Sequence, residues 1–106
     1  MECLPNRRAN KTGAEKASKA EIIQFADLVR KRMDTDQIGE LVRRTAGITP
    51  QDRRIAYLRL ASYDYDADIA AEEDVFYSRT SVGRHLAKVI PLVRDRFIQD
   101  EMKAGA

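Results

Sequence analysis

The chain has 106 residues, 43% hydrophobic and 34% charged, with a net charge of +2; this is the size and balance of one globular domain with a single core. No apolar run approaches the ~20 residues that a membrane helix requires, and the start MECLPNRRANKTG lacks the apolar segment of a secretory signal. The single cysteine, Cys3, excludes an internal disulfide framework, so the expectation is a cytoplasmic protein with no membrane partner.

Residues 1–17 are polar and aperiodic and contain Pro5 and Gly13; they predict a disordered basic tail bearing Arg7, Arg8, Lys11 and Lys16. Such a tail serves either as an accessory arm on phosphates or as a solvated terminus. Residues 18–106 read as a single helical domain. Ser18 and Glu21 have the spacing of a capping box, after which Ile22, Phe25, Ala26, Val29 and Met33 fall on one helical face. A second helix is expected from about Asp36 to Ala46, with Ile38, Leu41 and Val42 inward and Gly47 as its stop. Residues 18–47 are therefore expected to form an antiparallel helical hairpin.

Thr49-Pro50 opens a third helix, threonine as cap and proline where its missing N–H costs nothing. Ile55, Tyr57, Leu58, Leu60 and Ala61 surround this helix rather than stripe it, which predicts the most buried element. A short helix over Asp66–Glu73 should present Ile69 and Ala70 to the core. Val75 and Phe76, in the link before Ser78, are expected to plug the core.

The segment Ser78–Phe97 places Val82, Leu86, Val89, Ile90, Val93 and Phe97 on one stripe, with Ser78 as cap. Thr80, Arg84 and Lys88, four residues apart, share the opposite face. Pro91 cannot donate to the carbonyl four residues back, so the segment should break into helices over Arg79–Ile90 and Pro91–Glu101. Nothing alternates with period two, and an all-α bundle of about five to six helices follows.

Charge is segregated. Tyr63–Asp74 holds Asp64, Asp66, Asp68, Glu72, Glu73 and Asp74 without a base, whereas Val75–Ile98 holds Arg79, Arg84, Lys88, Arg94 and Arg96 against Asp95. A segregated basic face attracts phosphate even when the total is nearly balanced. Asp64, Asp66 and Asp68 begin like a calcium loop, but Ile69 and Val75 occupy the positions that need glycine and glutamate, so no metal is expected.

Residues 48–90, within the helix-turn-helix region expected over 48–102, carry a resemblance. Pro50, Arg53, Leu58 and Arg59, then Ile69 and Ala70, then Ser78, Ser81, Val82 and Leu86 are similar to the helix-turn-helix of sigma-factor region 4. They also resemble phage late-transcription regulators of the ArpU and RinA type, in which an aromatic pair such as Phe76-Tyr77 precedes the serine. The spacing from Ile69-Ala70 to Ser78 is longer than in that pattern, and the glycine of its turn is missing. The resemblance implies a C-terminal helix-turn-helix that binds double-stranded DNA through Ser78, Arg79, Thr80, Ser81, Arg84, His85 and Lys88. In these roles Ser78 holds amides that face a phosphate, arginine matches guanine, and threonine meets a thymine methyl. Gly83 would let the helix approach DNA closely. A solvated surface helix would use the same residues for solubility alone.

Enzyme chemistry finds no motif: His85 and Cys3 are isolated, and no metal-binding, phosphate-loop or nucleophile signature occurs. The reading is a DNA-binding transcriptional regulator of phage or mobile-element type, not an enzyme, without cofactor and with a homodimer allowed. The alternative is a helical interaction module that engages RNA polymerase, a sigma factor or another partner through its acidic face.

Overall fold

Four helix starts are set by side chains that satisfy free backbone donors. In the computed structural model, which describes residues 16–105, the helices are α1 (Lys19–Arg32), α2 (Thr35–Arg44), α3 (Pro50–Ala61), α4 (Asp66–Ala70) and α5 (Arg79–Gly105). Ser18 and Glu21 form the expected reciprocal capping box of α1. Thr49 caps α3, with Pro50 in its first turn. α2 begins one residue earlier than its apolar pattern suggests, because Asp34 and Gln37 form a second capping box. It ends where Thr45 turns its hydroxyl back to the Leu41 carbonyl at 2.9 Å, and Gly47 then takes a left-handed φ of 83°.

Among the described residues there is no strand, and the molecule is a small all-α bundle. α3 packs against all four other helices. Its Ile55, Ala56, Leu58 and Leu60 are buried around the helix rather than along one stripe. Ile38, Leu41, Ile69, Leu86 and Ile90 complete a core in which each fully buried Leu or Ile contributes about 1.5–3 kcal/mol. Phe25 of α1 meets Phe97 of α5 edge to face, with centroids 5.6 Å apart.

The expected hairpin of the first two helices does not form; α1 and α2 pack on α3 and α5 rather than along each other. Met33 and Asp34 are both extended and carry α2 away from α1. Arginine side chains bind the helix ends together instead. Arg30 donates through Nε to Leu60 O and through Nη2 to Arg59 O, both at 2.9 Å. Arg53 donates through Nη1 to Val42 O (2.9 Å) and Arg43 O (2.6 Å). Cations on the last carbonyls of α3 and α2 satisfy acceptors that the helices cannot.

α4 stops at Ala70 rather than Glu73. The acids Glu72, Glu73 and Asp74 would sit at the carbonyl end of a longer helix, where the dipole repels them, and the chain forms turns there. Val75 enters the core as expected, at 6% exposure, but Phe76 is 85% exposed. Gln51 fixes that segment by donating to Asp74 O (3.0 Å) and accepting from Phe76 N (2.6 Å). The residues between are non-helical, so neighbouring side chains point to opposite sides and only one of the pair can enter the core.

The break expected at Pro91 is absent: α5 runs unbroken through it. Proline leaves the Ala87 carbonyl without its helical donor. The Ala17 N–H supplies that donor from outside the helix, at 2.8 Å. The segment before α1 thus lies against the middle of α5, with Ala17 and Pro91 both buried. The tail expected over residues 1–17 otherwise lies outside the described residues. Among those described, no helix is long and apolar enough to cross a membrane.

Candidate nucleic-acid interface

The first half of α5 is held by its buried stripe, Val82, Leu86, Val89 and Ile90, all 3% exposed or less. Opposite that stripe, Thr80, Arg84 and Lys88 stand in solvent along one edge, with Arg79 exposed at the helix start. Ser78 caps the helix as its position predicted: its hydroxyl accepts from Ser81 N–H at 3.2 Å and lies 3.3 Å from Ser81 Oγ. The two serines are therefore spent largely on each other and on the first turn.

Most arginines of the bundle are paired internally, whereas among the described residues the ladder, like Lys19, Lys31 and Arg94, is not. Arg30, Arg32, Arg43, Arg44, Arg54, Arg59 and Arg96 each pair with a carboxylate, and Arg53 with carbonyls. Among the described residues, Arg79, Arg84 and Lys88 form no ion pair. They are cations displayed on a rigid element without an internal partner. Lys19, at the start of α1, borders the same surface beside Gly83 and Arg84. Sequence spacing could not place Lys19 there, because the Ala17–Ala87 hydrogen bond is what brings that segment across.

Two groups limit the basic surface. Asp66, Ala67 and Asp68 of α4 border it on the Arg79–Gly83–Arg84 side. A Cβ at Gly83 would lie 2.9 Å from Asp66 Oδ2. Gly83 therefore permits the close approach of Asp66 from α4. On the other flank, His85 is withdrawn from the open ladder. Its Nδ1 lies 2.9 Å from Asp52 Oδ1, and its ring stacks on Tyr77 with centroids 4.2 Å apart. Tyr77 donates its hydroxyl to the same Asp52 oxygen at 2.8 Å. Burial, and then the adjoining Asp52 carboxylate, push the Tyr77 phenol above its ordinary pKa. This cluster joins the start of α5 to the first turn of α3, and sequence gave no sign of it because Asp52, Tyr77 and His85 are far apart in the chain.

Half of the acidic block is paired within the chain, although Asp64 and Asp74 stay exposed. Asp64 pairs with Arg30 at 2.8 Å, Asp74 with Arg54 at 2.7 Å, and Glu72 accepts from the Tyr63 hydroxyl. The hydrogen bond and charge of Arg30 hold the Asp64 carboxyl below the usual carboxylate range. Asp68 and Glu73 remain as exposed acids without an ion-pair partner among the described residues. No protein-family model, curated protein or solved structure matches this chain.

Proposed function

We propose that the chain is a DNA-binding transcriptional regulator in which α4, the turn after it and α5 act as a helix-turn-helix. The observation that carries this is the exposed, internally unpaired row Arg79, Arg84 and Lys88 on a capped helix whose other face is core. In this reading, Arg84 and Thr80 face base edges, Arg79, Lys88 and Lys19 face phosphates, and Ser78 and Ser81 hold the first turn. His85 contributes at the edge of the contact, its ring set by Asp52 and Tyr77. The resemblance to sigma region 4 and to phage late regulators points the same way.

The interaction-module alternative rests on the exposed Phe76 beside Glu73. It is the weaker reading, because Asp64, Glu72 and Asp74 already have partners within the chain. Three phosphate contacts predict a log–log salt slope of about −2.7, so binding to random-sequence duplex should weaken about 40-fold from 50 to 200 mM salt. In fluorescence anisotropy, Arg84→Glu/Lys88→Glu should remove binding, while Lys88→Ala alone should lower the slope by about 1. Absence of binding by the native chain at low salt would overturn the reading.

A further inference from the structure

Adjoining the ladder's surface, with which it shares Lys19, Asp66 and Gly83, α5 floors a cleft of about 320 Å³ that opens between the start of α1 and the α3–α4 link. Ile22, Ile23, Leu86 and Ala87 give it apolar walls, and Arg59 and Lys19 bring positive charge to it. Its size is at the small end of ligand pockets, which run roughly 300–1,000 Å³.

Arg59 is the unusual member. Its side chain is only 6% exposed, yet among the described residues it makes a single hydrogen bond, from Nη1 to Tyr63 O at 3.2 Å. Among the described residues, Nε and Nη2 donate to no protein atom. Arg59 lines the cleft, where a ligand would meet these donors. A nearly buried guanidinium with donors left over is poised for an anion, since an arginine fork matches a carboxylate with parallel N–H···O bonds. Burial, followed by the neighbouring Arg30, lowers the pKa of this guanidinium, which marks a charge that its surroundings do not fully compensate.

The acids nearby do not cancel it. Asp64 is 3.9 Å from Arg59 but is held by Arg30 at 2.8 Å, and Asp66 is turned against Gly83. With Asp64 matched by Arg30, Arg59 and Lys19 face Asp66 alone. We propose that this cleft is a binding site for a small amphipathic carboxylate, its carboxylate on Arg59 Nε and Nη2 and its apolar body between Ile22–Ile23 and Leu86–Ala87. The proposal does not require the DNA-binding reading, although Lys19 borders both surfaces.

The test is a ¹H–¹⁵N NMR titration of the full chain with hexanoate, hexan-1-ol and hexylammonium in parallel. Hexanoate should shift the Ile22, Leu86 and Ala87 amides and the Arg59 Nε–H, and bind at least about tenfold more tightly than the alcohol, the difference made by one charge-assisted contact. Arg59→Gln should reduce hexanoate to the level of hexanol. Ile23→Asp, at a side chain already 51% exposed, should weaken hexanoate while leaving the fold intact. Equal binding of hexanoate and hexanol would overturn the proposal, as would preference for hexylammonium, shifts confined to other surfaces, or no shift at about 10 mM ligand. Should Arg59→Gln fail to fold, the three probes on the native chain decide the matter alone.

Discussion

Replacing Ala17 by proline tests why α5 passes through Pro91 without breaking. The substitution removes one N–H, the donor that satisfies Ala87 O at 2.8 Å. Ala17 is 6% exposed, so water does not replace that donor readily. A buried carbonyl left unpaired costs about 1–3 kcal/mol. With a urea slope of roughly 1–3 kcal/mol/M, a loss of about 2 kcal/mol lowers the midpoint by about 1 M. Strain from the new proline would add to that cost, so the measurement is a double-mutant cycle with Pro91→Ala. An alanine at position 91 returns the helical N–H to Ala87 O, and Ala17→Pro should then cost about 1–2 kcal/mol less than in the native background. Strain at position 17 is common to both backgrounds and cancels. Equal costs within about 0.5 kcal/mol would refute the coupling and require another account of the unbroken helix.

Gly83→Ala should stabilise the protein by about 0.5–1 kcal/mol in urea unfolding, because the helix gains propensity and only the tip of Asp66 must rotate away; a loss above about 1 kcal/mol would show that Asp66 cannot move. Arg53→Met should cost about 1–3 kcal/mol by releasing Val42 O and Arg43 O at the end of α2, and hydrogen exchange should show α2 opening before α3. Asp64 and Asp100 are held below the ordinary carboxylate range by hydrogen bonds from Arg30 and Arg44. A depressed folded pKa stabilises above the unfolded value and is lost below it, so stability should fall as pH drops through about 4. Thermal melts of an Arg30→Gln/Arg44→Gln variant should show a shallower acid slope, and an unchanged slope would count against these pairs. Tyr77 has the opposite sign: its raised pKa stabilises below the unfolded value, near 10, and is lost above it. Tyr77→Phe should therefore lose less stability than the native chain on raising the pH beyond that point.

Much of this architecture is local, and local features are legible in one dimension. Ser18–Glu21, Thr49–Pro50, Gly47 and Ser78 announce helix ends because a cap involves residues only a few positions apart. The stripe from Val82 to Phe97 and the ladder Thr80–Arg84–Lys88 follow from helical period alone, and the structure buries the first and exposes the second. What depended on distant partners could not be read this way. Pro91 looks like a break until Ala17 arrives to satisfy Ala87 O, and no local pattern sets Asp66 against Gly83. His85 resembles one more polar residue on a helix until Asp52 and Tyr77 claim it. Arg59 looks like an ordinary surface cation until the fold buries it beside a cleft. Sequence determined where the helices begin and which faces they bury, because those depend on period and on neighbours. Tertiary structure decided which polar groups are spent and which are left over, because a hydrogen-bond donor or a charge is satisfied by whatever the fold brings within about 3–4 Å.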